Sequence, residues 1–560
     1  MKEIGFHEAR TKYLKCVDFN QQIGLYDTVY NNEKFFIGDQ WHGIDTAGNP
    51  APVFNFLKRV AMFQVAKVTS DNFAVQSSPM AVLPGSDMRR LEIGCSVVNK
   101  RFDFLIERNK LVSKIREFVR NAAIDGDSCF YSYFDPDIET GQPSKGEIVT
   151  EITENTRVLF GNPTERDVQR QPYIIIPVRW EVEKAKRVAK ANGLPTDDIK
   201  PDSEDNASTY DKLTDNKVTV LLYFAYDYET KTVWHGKYTC STILEELKDT
   251  ELRRYPIVWM NWDYIQECYH GHALITQLIP NQVFVNRGFA MTFRSLMTTA
   301  FPKTLYDSTR IKRWDSGVGR AIAVNGGDLN TIARVIDPAP ISPQVSQFLS
   351  LTMDETQSLM GASDAALGDG RADNTSAIIA LQRASDAPLE NVRQNVYQAL
   401  EDLANIYLDM MRVYYGKRYV QMDTFTPSQM QAAPLGLPLP NEPVVKLFDF
   451  NELENLHLVL KIDVGASSYW SEIAMTQTLD NLLMQGKLAF DDYLERVPNN
   501  RISRRQELLD KIRGQQAQMQ QMQQMQQMAA QVPQRPNALP VKGGGGYGEL
   551  QRSINQTGIV

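Results

Sequence analysis

The feature that most constrains the fold is a pair of helical patterns on either side of a short loop. In the first pattern, apolar and small residues recur at steps of three and four from Val345 to Leu359, and the pattern ends at Gly361. In the second, the same spacing continues from Leu389 to Tyr414. Because this spacing puts one face of a helix against a core, the sequence predicts two helices joined by a loop.

The second helix is predicted to be long and bent. If it begins at Ala377 and ends at Tyr415, its length is about 60 Å at ~1.5 Å per residue, far above the average for globular proteins. Pro388 removes one amide donor, so we expect a bend near 384–388. The joining segment, 366–376, is small and polar and contains two glycines. A loop between two stiff helices indicates a mechanical role rather than a catalytic one.

The composition is that of a soluble globular protein. The chain has 560 residues, of which 42% are hydrophobic and 23% charged, so several domains are expected. No membrane span and no apolar signal segment are predicted. Five widely spaced cysteines indicate reduced thiols in a cytosolic setting. The net charge of -8 argues against a protein that grips nucleic acid tightly.

The remaining patterns predict an α+β architecture that is mainly helical. Before about residue 255 we expect helices at 8–37 and 101–123, strands at 157–160 and 173–180, and a hairpin at 217–242. An aromatic strand should follow the turn that begins Asp125-Gly-Asp-Ser.

From His270 onward the pattern changes. A second long helix is expected to end near Thr299. Residues 301–340 then alternate turns with short β-like runs, at 303–306, 320–324 and 332–336. Two helices therefore flank a small β insertion.

The C-terminal part is predicted to change character twice. Strands should return at 417–465 and helices at 470–528. From Ala529 the chain is rich in Pro, Gly and Gln, which is typical of disorder.

Motifs for catalysis or cofactor binding fail on their context. Gly543, Gly545 and Gly548 match G-x-G-x-x-G, but no strand precedes them, which favours a linker. Cys268, His270 and His272 could converge on a metal ion, but no fourth ligand is near, which favours turn residues before a helix. The chain is therefore predicted to be no enzyme and to hold no cofactor or metal.

One basic cluster lies within the β insertion. Lys303 to Arg320 contains five basic and two acidic residues. The candidates for partner docking are Arg310, Lys312, Arg313, Trp314 and Arg320. An ordinary solvated surface is the alternative.

These elements, in this order, resemble a tailed-bacteriophage portal protein over about residues 10 to 515. The motifs that carry the resemblance are Phe35-Phe-Ile-Gly-Asp-Gln-Trp41, Asp125-Gly-Asp-Ser-Cys-Phe-Tyr131, Met360-Gly-Ala-Ser-Asp-Ala-Ala-Leu-Gly368 and Asn374-Thr-Ser-Ala-Ile-Ile-Ala-Leu-Gln382. Such proteins form rings, usually of twelve subunits, at the head vertex through which DNA enters and leaves.

The resemblance implies a division of the chain into named regions. These are a wing at 1–265 and 417–468, stem helices at 266–300 and 343–361, a clip at 301–342, a tunnel loop at 362–376, a long kinked helix at 377–416, a crown at 469–528 and a disordered tail at 529–560. The channel residues implied for the tunnel loop are Leu367, Gly368, Asp369, Gly370, Arg371, Ala372, Asp373 and Asn374, and Pro388 marks the kink.

The same resemblance implies partners and a location. The partners are other copies of the chain, double-stranded DNA in the channel, the terminase motor, the head–tail adaptor and the major capsid protein. The location is the capsid portal vertex of the virion, after assembly in the host cytoplasm. Two alternatives stay open from the residues alone: a nucleic-acid-processing enzyme with a helical accessory domain, and a non-viral helical scaffold protein.

Overall fold

A computed structural model shows the chain as two units, Met1–Ser468 and Tyr469–Val560. Most of the described residues belong to the first unit. The structure describes residues 4–46, 48, 50–70, 73–79, 88–202, 216–300, 303–315, 317, 320–336, 342–360, 387–422, 444–455 and 458–464, with a few positions between 479 and 494.

Helices and strands alternate in this part of the chain, which confirms a mixed α+β architecture. The helices are α1 (Phe6–Gln22), α2 (Leu25–Ile37), α3 (Phe56–Val68), α4 (Met88–Arg108), α5 (Leu111–Asp125), α6 (Val182–Ala191), α7 (Leu274–Ala300), α8 (Pro343–Leu359) and α9 (Glu390–Tyr414). The strands are β1 (Phe73–Pro79), β2 (Asp127–Asp135), β3 (Glu147–Thr153), β4 (Leu159–Phe160), β5 (Tyr173–Glu181), β6 (Lys217–Asp227), β7 (Thr232–Thr239), β8 (Ile243–Asp249), β9 (Ile257–Asn261), β10 (Asp263–Tyr264), β11 (Gly271–His272), β12 (Thr304–Tyr306), β13 (Ala333–Val335), β14 (Lys417–Met422), β15 (Val444–Asp449) and β16 (Leu458–Val464). Among these helices, none is long and apolar enough to cross a membrane.

Two antiparallel sheets form the larger β structures. One has the strand order β4-β5-β6-β7-β8, and the other has the order β3-β2-β9. The hairpin predicted at 217–242 is confirmed, with Asp227 paired to Thr232 and Lys231 in a left-handed conformation in the turn. The predicted aromatic strand is confirmed as β2, whose Phe130 stacks on Phe118 of α5 at 4.1 Å between ring centroids.

The single helix predicted at 101–123 is wrong, because the chain breaks between α4 and α5. Lys110 takes a left-handed conformation at φ 51°. The side chain of Asn109 is buried and pairs with the backbone of β3, donating to the Ile148 carbonyl at 3.2 Å and accepting from the Thr150 amide at 3.1 Å. Asn109 thus satisfies backbone groups of β3, and this contact stabilises the break. The predicted helix at 8–37 is likewise divided, at Gly24 with φ 67°.

Helix α9 lies at the centre of the core. Its apolar residues at helical spacing, from Val392 to Met411, are buried. They pack against strands β2 and β9 and against β16. Tyr407 also shares a 2.6 Å hydrogen bond with the hydroxyl of Thr150. Long-range packing of this kind explains why the helix is stable at its length.

The strands predicted at 417–465 are confirmed and return to the N-terminal part of the chain. β14 pairs with β15, and β16 pairs with β1, so that Phe73 lies opposite Val464. A buried ion cluster holds β14 in place. Arg418 is 1% exposed and donates to the Gly146 carbonyl at 2.7 Å, while Glu147 contacts both Arg101 and Arg418.

Candidate assembly and docking surfaces

Helices α7 and α8 form an antiparallel pair, called the helix pair below. Asn281 donates to the hydroxyl of Thr356 at 3.0 Å near one end of the contact, and Gly288 lies against Leu349 farther along. A Cβ at Gly288 would come within 2.4 Å of the Leu349 side chain, so the glycine permits the close approach of the two helices.

One side of the helix pair presents a broad apolar surface, called the first apolar face. Phe284 and Phe348 meet edge-to-face at 5.6 Å, which shows that the two helices expose this side together. Its large exposed side chains are Phe284, Met291, Phe348, Leu351 and Leu359, at 44%, 68%, 58%, 52% and 75% exposure. Patches of this kind on a soluble protein mark interaction sites.

The opposite side of α7 presents a second apolar face. Phe293 and Leu296 are 49% and 53% exposed. They continue at steps of four and three from Phe289, which packs against Phe54 with ring centroids 4.4 Å apart. Since each residue turns a helix by about 100°, Phe293 points away from the side that carries Met291. The helix pair therefore has two different apolar faces.

Sequence reasoning identified the helix pair but missed that these side chains are exposed. A signal was present in α7, where Phe289, Phe293 and Leu296 lie on one side of the helix and Phe284 lies on the opposite side. A helix that is apolar on two opposite sides needs partners on both.

The β insertion between the two helices is small and has a minimal core. β12 pairs with β13, with Leu305 opposite Arg334, as the runs 303–306 and 332–336 predicted. Ile311 and Ile332 are its buried apolar residues, at 3% and 4% exposure. The strand expected at 320–324 is wrong: these residues have no ladder partner, because the short β12 and β13 strands pair only with each other.

The predicted basic cluster divides into paired and unpaired groups. Arg310 pairs with Asp307 at 3.5 Å, and Arg320 pairs with Asp315 at 3.0 Å. The side-chain hydrogen bond from Thr309, with help from Arg310, lowers the pKa of Asp307. The backbone amide of Gly317, together with Arg320, lowers the pKa of Asp315.

Lys312 and Arg313 remain exposed, without an ion pair to any described residue. Beside them Trp314 stacks on Tyr306, with ring centroids 5.4 Å apart. Two free cations next to an aromatic pair form a surface suited to an acidic segment of a partner protein.

Other predicted site residues have no described position. Leu367, Gly368, Asp369, Gly370, Arg371, Ala372, Asp373 and Asn374 lie outside the described residues, as does the segment 377–386. Pro388 is described and lies in a short 3-10 turn, Ala387–Leu389, directly before α9. The bend at this proline stays a prediction.

Of Cys268, His270 and His272, His270 has a structural role. His270 is 2% exposed and its Nδ1 lies 2.7 Å from Oδ2 of Asp127, whose Oδ1 accepts from the Gly271 amide at 2.6 Å. His272 instead contacts Gln277. In the part of the chain that the structure describes, no group of three or more His, Cys, Asp or Glu residues could hold a metal ion.

A comparison with protein families settles the identity of the fold. The model of the family described as phage P22-like portal protein matches residues 154–540, which include the helix pair, the β insertion and α9. The chain belongs to this family. Among curated proteins, none matches the chain.

The family match confirms the resemblance read from the sequence. The chain is a structural phage portal protein for DNA packaging, and the two alternative functions are not favoured. The family is structural rather than enzymatic, and it implies an oligomeric ring with DNA and capsid at the virion vertex. The N-terminal motifs, Phe35–Trp41 and Asp125–Tyr131, lie outside the matched residues.

Proposed function

We propose that copies of this chain form a closed ring of twelve subunits around a channel for double-stranded DNA. In this ring the helix pair is the stem and the β insertion is the clip, which docks the terminase motor and later the head–tail adaptor. The tunnel loop lies at the channel, 1–265 and 417–468 form the wing, and 469–528 form the crown.

The observation that carries the ring is the presence of two different apolar faces on the helix pair. A ring that closes by rotation uses heterologous contacts, in which one surface of a subunit meets a different surface of the next. The first apolar face, with Met291 and Leu351, and the second, with Phe293 and Leu296, supply such a pair of surfaces. Full burial of one Leu, Met or Phe side chain stabilises a contact by about 1.5–3 kcal/mol.

The acidic net charge of -8 supports a channel that DNA passes without being held. Each phosphate that a protein neutralises adds affinity and salt dependence, and a ring multiplies every such contact by its number of subunits. A surface of net negative charge keeps the duplex free to slide.

The clip role rests on Lys312 and Arg313. Both are exposed and lie next to the stacked Trp314 and Tyr306, at the end of the helix pair. An acidic surface of the packaging motor would complement these charges and increase the rate of association.

The ring is tested by the mass of the purified chain. We expect an assembly near twelve times 63.6 kDa by native mass spectrometry, without added DNA or nucleotide. Met291→Asp with Leu351→Asp should give monomers, because each carboxylate would lose its hydration in the contact. Ser346→Asp, at an exposed polar position of α8, is the matched control and should assemble. A wild-type chain that stays monomeric at micromolar concentration would show that the proposal is wrong.

A further inference from the structure

A pocket of about 160 Å³, open to solvent on one side, lies where the loop after α2 meets α7. Its apolar lining comes from Phe35, Trp41, Ile44 and Val283. Most of this lining belongs to the motif Phe35–Trp41 and the residues directly after it, in a part of the chain that the family match does not cover. The pocket therefore needs an explanation of its own.

The walls of the pocket are held in place before anything binds. The indole NH of Trp41 donates to the Pro52 carbonyl at 3.1 Å. Gln40 and Asn286 are 4% and 3% exposed, and the Asn286 amide donates to the Gln40 side-chain oxygen at 2.6 Å. A pocket fixed in this way loses little entropy on binding.

The rim of the pocket carries one unpaired charge. Arg287 lines the pocket one helical turn after Val283 and is exposed. It has no ion pair with any residue that the structure describes. The pocket is thus suited to an apolar side chain with a carboxylate a short distance along the same segment.

The same chain carries a segment with this chemistry. Tyr264, the last residue of β10, is 61% exposed, and Ile265, directly after it in the turn to β11, is 42% exposed. Asp263 and Glu267 flank them, and both are exposed. Tyr264 has a cation–π contact with Arg166, at 4.6 Å from the ring centroid, whereas Ile265 belongs to neither apolar core cluster of the described residues.

We propose that Ile265 of one copy enters the pocket of the neighbouring copy, where Glu267 pairs with Arg287. The contact rests on the proposed ring, because a knob and a hole at different places on one chain are what a heterologous interface requires. The two apolar faces of the helix pair supply most of the contact, and the pairing of Glu267 with Arg287 fixes the register between subunits.

A charge exchange tests the pair. Arg287→Glu alone and Glu267→Arg alone should each raise the concentration for half-maximal assembly about tenfold or more, because like charges then meet in the interface. The double variant should restore assembly. Arg294→Glu, at the other arginine of α7, is the matched control, and Glu267→Arg should not rescue it. Single variants that assemble normally, or a double variant no better than the singles, would overturn the pairing.

A crosslink provides a readout that does not depend on affinity. Ile44→Cys with Ile265→Cys should give a ladder of disulfide-linked chains under mild oxidation, while each single variant gives only the background of the natural cysteines. If wild-type rings form but the double variant gives no ladder within rings, this contact is wrong and the ring stands. If no rings form at all, the proposed function itself fails.

Discussion

Buried charges link strand β14 to the rest of the first unit. Glu147 is fully buried and lies against Arg101, Arg418 and the hydroxyl of Tyr415. The guanidinium of Arg418 also packs on the Tyr415 ring at 3.8 Å. Burial raises the pKa of Tyr415 and lowers that of Arg418. Two cations share one carboxylate, so loss of the carboxylate should destabilise the cluster more than loss of either arginine.

Replacing this carboxylate should destabilise the fold strongly. Glu147→Gln leaves the buried guanidinium of Arg418 and the partly buried one of Arg101 without this anion, and breaking a buried pair in this way costs about 3–5 kcal/mol. Urea denaturation of the purified chain measures the loss. Glu154→Gln is the matched control, because Glu154 belongs to an exposed pair with Arg157 and should cost at most ~1 kcal/mol. Equal losses of stability in the two variants would show that the buried Glu147 contributes no more than an exposed ion pair.

At the level of elements, the β insertion separates charges that look equivalent in the sequence. Arg310 and Arg320 are neutralised by Asp307 and Asp315, whereas Lys312 and Arg313 have no ion pair among the residues that the structure describes. The division depends on which aspartates the turns bring close, so the basic run alone could not reveal it. Only the unpaired residues are available to a partner without first breaking a contact.

Two matched double variants test whether the unpaired charges dock the packaging motor. Lys312→Gln with Arg313→Gln should weaken binding of the motor to assembled rings and reduce the salt dependence of that binding. Arg310→Gln with Arg320→Gln removes the same number of charges but should have a smaller effect. Binding of purified motor protein at several salt concentrations measures both. A larger loss in the second variant would move the docking surface to the paired arginines.

For the whole molecule, the periodicity of the sequence predicted where helices and strands lie better than it predicted which side chains are exposed. The hairpin at 217–242 and the helix pair follow the sequence pattern because turn residues and helical spacing are local signals. Phe348 and Leu349 belong to the same helical pattern, yet one is 58% and the other 5% exposed. Which of them faces a partner depends on the packing of α7, which no local signal reports. The break at Lys110 was missed for the same reason, since its stabilising contacts with β3 are distant in sequence.

The tunnel loop lies outside the described residues, so its position and its effect on the whole ring stay predictions from the sequence. The segment 362–376 has three aspartates and one arginine, which disfavours tight contact with phosphate. Two glycines, Gly368 and Gly370, allow it to change conformation between helices that keep their packing. We expect it to line the narrowest part of the channel and to touch DNA weakly during translocation.

Reversing two charges in the loop should therefore slow packaging. Asp369→Lys with Asp373→Lys adds about two attractive phosphate contacts per subunit, so translocation should slow and higher salt should partly relieve it. Asp369→Asn with Asp373→Asn removes the repulsion without adding attraction and should slow packaging less.

Deleting Gly368 to Ala372 should give rings that assemble into heads but package or retain DNA poorly. The measurements are the packaging rate and the length of DNA retained. If the lysine and deletion variants both package at the normal rate and to the normal length, the loop is a passive connector.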